Sequence, residues 1–334
     1  MRKELILFGL SLGVVAASQT ACSKQNQDTI TETIQQENDT TDLTEENEQE
    51  ELMNGSDDVT GSEDSTKDIE TNDEAILEQF EALTSVDNTD LTEIIAFMEK
   101  NIEAVSKENA SAMLLKLEEL QIASRTVLEE KFMPDKIQEK LLGAMLAGKE
   151  YSNPDIYEDE AIKTLLLETK KSGFALDQAE GFVYPIINYS IYEAFCEFAT
   201  DDIAEYFKIM VTESSKPFAK DAALLIDWDE VVNRALVAEK FLTKFSTSQK
   251  IDAVKELYQR YESVALYGLN NTPLFDYEDQ TMDQEAKSAY EKAIASADGS
   301  SDFLNTIKNY MEVLKKANYK LTKEVEEYRN SLTK

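Results

Sequence analysis

From residue 75 onward, apolar residues recur at three- and four-residue steps over most of the chain, the period of an amphipathic helix. Between residues 251 and 266, Val254, Leu257, Tyr258, Tyr261, Val264 and Ala265 fall on one face. Similar stripes predict helices over 91–105, 110–132, 137–147, 161–169, 203–211, 231–245, 286–297, 303–314 and 325–332. Start signals agree: Thr200-Asp201-Asp202 and Asp227-Trp228-Asp229-Glu230 put hydroxyl or acidic side chains ahead of apolar runs, where they can accept from free amides. Pro134 and Pro154 suit helix entries, and Gly148, Gly173 and Gly268 follow apolar runs as helix ends do.

One segment departs from this period. Residues 173–187 are rich in β-formers and crossed by Glu180-Gly181, which predicts a hairpin with strands over 174–177 and 182–186 and a turn around 178–181. The expected fold is therefore all-α, an irregular multi-helix bundle or array with one small β-hairpin near 174–186. No fixed-period repeat emerges, and Trp228 is the sole tryptophan, so the tetratricopeptide signature is absent. The hairpin also marks a candidate junction between a helical half over 75–172 and a second over 173–334, the two forming either one domain or two.

The first 74 residues follow another pattern. Arg2 and Lys3 precede an apolar stretch over 5–17, too short to remain as a membrane-spanning helix, and Thr20-Ala21-Cys22 closes it with small residues before a cysteine. This run resembles the lipobox of bacterial lipoproteins, with Gln19 standing where an aliphatic residue is usual. The resemblance implies a signal peptide over 1–21, cleavage before Cys22, and a diacylglycerol on the Cys22 sulfur. Two acyl chains hold a protein at a membrane durably, so the expected location is the extracytoplasmic face of the cell membrane, with the membrane as a partner through that lipid. Residues 23–74 then carry eighteen acidic side chains against two lysines, Lys24 and Lys67, and no aromatic. Such a segment cannot bury enough apolar surface to offset its ordering entropy, and it reads as an acidic tether spanning on the order of 40 Å.

Charge and composition then prune the chemistry. A net charge of −34 with no basic cluster disfavours nucleic acid and anionic lipid as partners of the folded part. With no histidine there is no Ser-His-Asp triad and no histidine-liganded zinc, and neither phosphate-loop pattern occurs, so no cofactor is expected. Cys196, in an apolar run, reads as a small core side chain rather than a nucleophile. The stretches 276–279 and 298–302 offer oxygens but lack the calcium loop with its terminal glutamate, and read as capped turns.

Two constellations remain. Glu213-Ser214-Ser215 resembles the catalytic glutamate motif of lytic transglycosylases, which implies a general-acid role for Glu213 in cleaving cell-wall glycan; the downstream Gly-Leu-Met-Gln stretch of those enzymes is missing. A carboxyl in an apolar pocket can serve as such an acid because burial raises its pKa. The second is a recognition surface. Residues 267–277 place Asn270 and Asn271 among aromatics, and the hairpin adds Glu180 and Tyr184, with Tyr189 just beyond. Its structural alternative has Leu274 and Phe275 plugging the core while Asn270 and Asn271 cap a helix. Residues 173–189 and 267–275 also resemble segments of uncharacterised exported proteins of Gram-positive bacteria, a resemblance that implies domain integrity and no activity. The candidate ligand-binding residues are thus Glu180, Tyr184, Tyr189, Glu213, Trp228, Asn270 and Asn271. The leading expectation is a non-enzymatic, lipid-anchored helical protein that binds a cell-wall or protein partner, with a carboxylate-dependent glycan hydrolase or lyase as the alternative.

Overall fold

Short polar side chains begin most of the helices. Asp90, Ser106, Asp159, Asp227, Asp283 and Ser301 each turn a side-chain oxygen onto amides of the helix that follows, which satisfies donors the helix itself leaves free. The helices they open are α2 (Leu91–Asn101), α3 (Lys107–Glu130), α5 (Glu160–Lys171), α7 (Trp228–Lys244), α9 (Gln284–Ala295) and α10 (Asp302–Lys316). The set is completed by α1 (Asp64–Thr84), α4 (Asp135–Leu146), α6 (Asp201–Ser215), α8 (Ile251–Tyr267) and α11 (Lys323–Leu332). At α6 the expected cap differs. The Thr200 hydroxyl donates to Asp202 Oδ1 at 2.7 Å and lies 3.0 Å from Ser111 Oγ, so it ties α6 to α3 instead of capping it.

The computed structural model describes residues 64–85, 90–297 and 301–332, with backbone alone for 64–72. Cys22, the signal peptide and most of the expected tether lie outside the described residues. The described residues from Thr71 onward form one compact unit. The helix α1 begins at Asp64, so the last residues of the stretch read as tether are helical. Among the described residues no helix is long and apolar enough to cross a membrane.

Among the described residues the architecture is an almost entirely helical, multi-helix arrangement with three two-stranded antiparallel sheets. A large core gathers side chains from α1 to α3 and from α6 to α11, with Tyr192, Phe207, Tyr261, Tyr290, Phe303 and Tyr310 fully buried. A small second core joins Phe132, Leu141, Tyr157, Ile162, Leu166 and Val183, where α4 and α5 pack on the first hairpin. Because α3 lies in the same core as α6 to α10, no seam in the large core falls at residue 173. Gly173 has φ +75°, and a Cβ there would run into the Gln121 amide and Ile191. The segment Tyr189–Phe198, of which only 192–198 was expected as an apolar run, is a 3-10 helix. It buries Cys196, whose Sγ sits 3.3 Å from Tyr192 O and whose thiol burial pushes upward in pKa.

The expectation of one hairpin is corrected to three. The first pairs β1 (Phe174–Ala179) with β2 (Phe182–Ile187), each strand running slightly beyond the expected bounds. Its turn has positive φ at both Glu180 (49°) and Gly181 (75°), as a tight hairpin turn requires. The others pair β3 (Ala219–Lys220) with β4 (Ala223–Leu224), and β5 (Gly268–Leu269) with β6 (Thr272–Pro273). Two-residue strands are too short to show a period in sequence. They hold by tertiary hydrogen bonds: Asn271 N donates to Ala222 O at 2.8 Å, Asn271 Nδ2 to Asp221 O at 2.6 Å, and Leu224 N to Thr272 Oγ1 at 3.0 Å. The Lys220 ammonium donates to Gln178 O and so draws the first hairpin to the second. These bonds hold Asp221 and Ala222 at φ 48° and 57°, a conformation that costs a non-glycine residue about 1–2 kcal/mol.

Candidate ligand-binding site

The start of α7 organises the two clefts of interest. Asp227 caps the helix through Glu230 N at 2.8 Å, and Trp228 turns inward to meet Tyr290 of α9 edge-on, with ring centroids 6.2 Å apart. Burying Trp228 fixes the rotation of α7, so that residues 229, 232, 233 and 236 share the stripe beside it. A cleft of about 490 Å³ opens along that stripe, between α7, α9 and α10. Its apolar lining comes from Val232, Leu236, Ala293 and Leu304, and its charged lining from Lys216, Asp227, Asp229, Glu230 and Lys292. Lys292 Nζ reaches Asp229 Oδ1 at 3.0 Å across the cleft.

A second cleft of about 220 Å³ lies between α6, α7 and α8, and the exposed Asn233 lines both. Its wall contains Glu213, Arg234 and Tyr261. The two charged side chains are only 3% and 4% exposed, so each needs compensation at close range. The Tyr261 hydroxyl lies 2.6 and 2.7 Å from the two Glu213 oxygens, and Arg234 Nη1 donates to Oε1 at 3.2 Å. Arg234 also donates through Nε to Glu230 Oε1 at 2.9 Å and through Nη2 to Lys216 O at 2.7 Å. One guanidinium therefore spans from the wall of the smaller cleft to a carboxylate of the larger. Burial pushes the Glu213 carboxyl above its usual range, with the Tyr261 hydroxyl and Arg234 pulling against it. Both Glu213 oxygens lie within hydrogen-bond reach of donors, an arrangement that orients Arg234.

The seven candidates from sequence do not converge. Glu213 lines the smaller cleft. Trp228 is buried at the head of α7, between two residues that line the larger cleft, and serves the core. Tyr189 is buried and donates to Glu118 Oε1 at 2.8 Å. Glu180, Tyr184, Asn270 and Asn271 belong to the hairpins, where Glu180 and the two asparagines are exposed and the Tyr184 hydroxyl donates to the buried Asp177 at 3.0 Å. Leu274 and Phe275 plug the core as the structural alternative has it, but Asn270 and Asn271 form a hairpin turn and cap no helix. In the turn at 276–279, Asp276 Oδ1 accepts from Glu278 N and Asp279 N. Of 298–302, residues 298–300 lie outside the described residues, and Ser301 caps α10. Among the described residues no group of three or more acidic or cysteine side chains is placed to hold a metal ion.

Arg234, Asn233, Tyr261, Lys216 and Lys292 were missed. Tyr261 was legible only as part of a helical stripe, and Arg234 only as an unusual basic residue within the apolar stripe of α7. Scans against protein-family models, curated proteins and solved structures each returned no match to this chain.

Proposed function

We propose that this is a lipid-anchored, non-enzymatic binding protein of the extracytoplasmic membrane face, with the α7 clefts as its ligand seat. The observation that carries this reading is the 490 Å³ cleft, a volume typical of ligand pockets, lined by convergent charged groups over an apolar floor. It is favoured over a glycan hydrolase because both Glu213 oxygens are committed to Tyr261 and Arg234. The lipid and the outward location rest on the sequence alone, through Cys22.

Two measurements test it. Growth with a clickable fatty acid should label the wild-type chain and not Cys22→Ala; label that survives the substitution removes the anchor. Co-sedimentation of purified full-length protein with cell-wall material should be lost in Asn233→Trp, which puts an indole at the exposed residue shared by the two clefts. Peptidoglycan cleavage that disappears in Glu213→Gln would instead establish the hydrolase.

A further inference from the structure

We infer that the larger cleft takes a small zwitterion, a free amino acid or a short peptide with one ammonium and one carboxylate. The inference rests on the proposed binding role and deepens it. Its basis is the distribution of charge around the cleft. Lys216, on the connection from α6 to α7, is one of its lining residues, and its ammonium has no partner among the described residues. Lys292 of α9 brings a second cation. Against these stand carboxylates from the first turn of α7 and its cap: one oxygen of Asp227 is used on Glu230 N and one of Asp229 on Lys292, which leaves the other oxygen of each to accept.

That pairing of signs selects among ligand chemistries. A simple anion attracted to Lys216 and Lys292 meets three carboxylates, and a simple cation meets two lysines. A neutral ligand would strip water from both sets and bring no opposite charge to either. A zwitterion places an opposite charge against each set, while Val232, Leu236 and Leu304 offer apolar surface to whatever side chain it carries. Glu230 is oriented by Arg234, so the acidic wall is held in place from behind by the Glu213–Arg234 pair.

The test is thermal unfolding of the full-length protein with L-alanyl-L-alanine as probe, beside its N-acetyl, C-amide and doubly blocked derivatives and N-acetylglucosamine. At saturating dipeptide the midpoint should rise by about 5 °C, with each single block weakening binding about tenfold. Lys216→Ala and Lys292→Ala, at exposed positions, should abolish the carboxylate preference while keeping the unliganded midpoint. Equal binding of the doubly blocked peptide, or a shift with the sugar alone, overturns the zwitterion and leaves the cleft as a seat. A dipeptide shift that persists in Asn233→Trp overturns the seat itself. No shift with any probe, while wall binding still depends on position 233, overturns the zwitterion alone.

Discussion

Glu118 and Glu213 are both helix-borne carboxylates, 1% and 3% exposed, and both are held by tyrosine hydroxyls and a cation, but they do different work. Glu118 of α3 accepts from Tyr189 at 2.8 Å, from Tyr206 of α6 at 2.5 Å and from Lys250, just before α8, at 2.6 Å. Three parts of the chain far apart in sequence thus meet on one carboxylate, with Gln121 one turn on, bonded to Tyr192 at 2.6 Å and to the carbonyls of Ser172 and Gly173. Its lysine is 22% exposed and still meets water. Glu213 shares its tyrosine with an arginine that is itself buried and bound to a second glutamate. The first centre welds helices together; the second stiffens the wall between two clefts. Burial alone does not distinguish the two carboxylates, whereas the exposure and connectivity of their cations do.

The largest expected effect breaks the second centre. Arg234→Ala leaves Glu213 and Glu230 without their cation, one of them in the interior, and should cost about 3–5 kcal/mol in urea unfolding. Tyr206→Phe removes a hydrogen bond to a buried charge and should cost about 2 kcal/mol. Lys250→Ala should cost about 1 kcal/mol, because Glu118 keeps both tyrosines and water reaches the lysine. Equal losses for Arg234→Ala and Lys250→Ala would erase the distinction between the centres.

Much of the helical layout was legible because its cause is local. Stripes and caps sit within one turn of each other in sequence, and α2 to α10 follow them closely. The first hairpin was legible for the same reason, since strand formers flank Glu180-Gly181. The other two hairpins were not, because their strands are held by Asn271, Thr272 and Lys220 reaching across the fold. The clefts were least legible. Glu213 stood out by its neighbours in sequence, yet what defines it is Tyr261 and Arg234, placed by helix packing. Asp227 and Asp229 read as helix-start residues, which they are, and nothing in the sequence says that they also border a cleft with Lys292.

The smallest expected effects sharpen the comparison through pH. Burial holds the Glu213 carboxyl above its ordinary value near 4.5, so the folded chain takes up this proton before the unfolded chain does. Its contribution to stability therefore falls as pH rises through the folded pKa and is greatest below the unfolded one. Asp202, tied by Ser248 at 2.6 Å to the turn that carries Lys250, has the opposite sign. Burial alone would raise it, but hydrogen bonds from Ser248 and Thr200 outweigh burial and hold it below its ordinary value near 3.8. Its contribution is present above that value and is lost as pH falls through the folded pKa. In urea titrations from pH 7 to pH 3, the penalty of Glu213→Gln should grow toward acid while that of Asp202→Asn shrinks. Parallel pH dependences would mean that Arg234 dominates burial at Glu213.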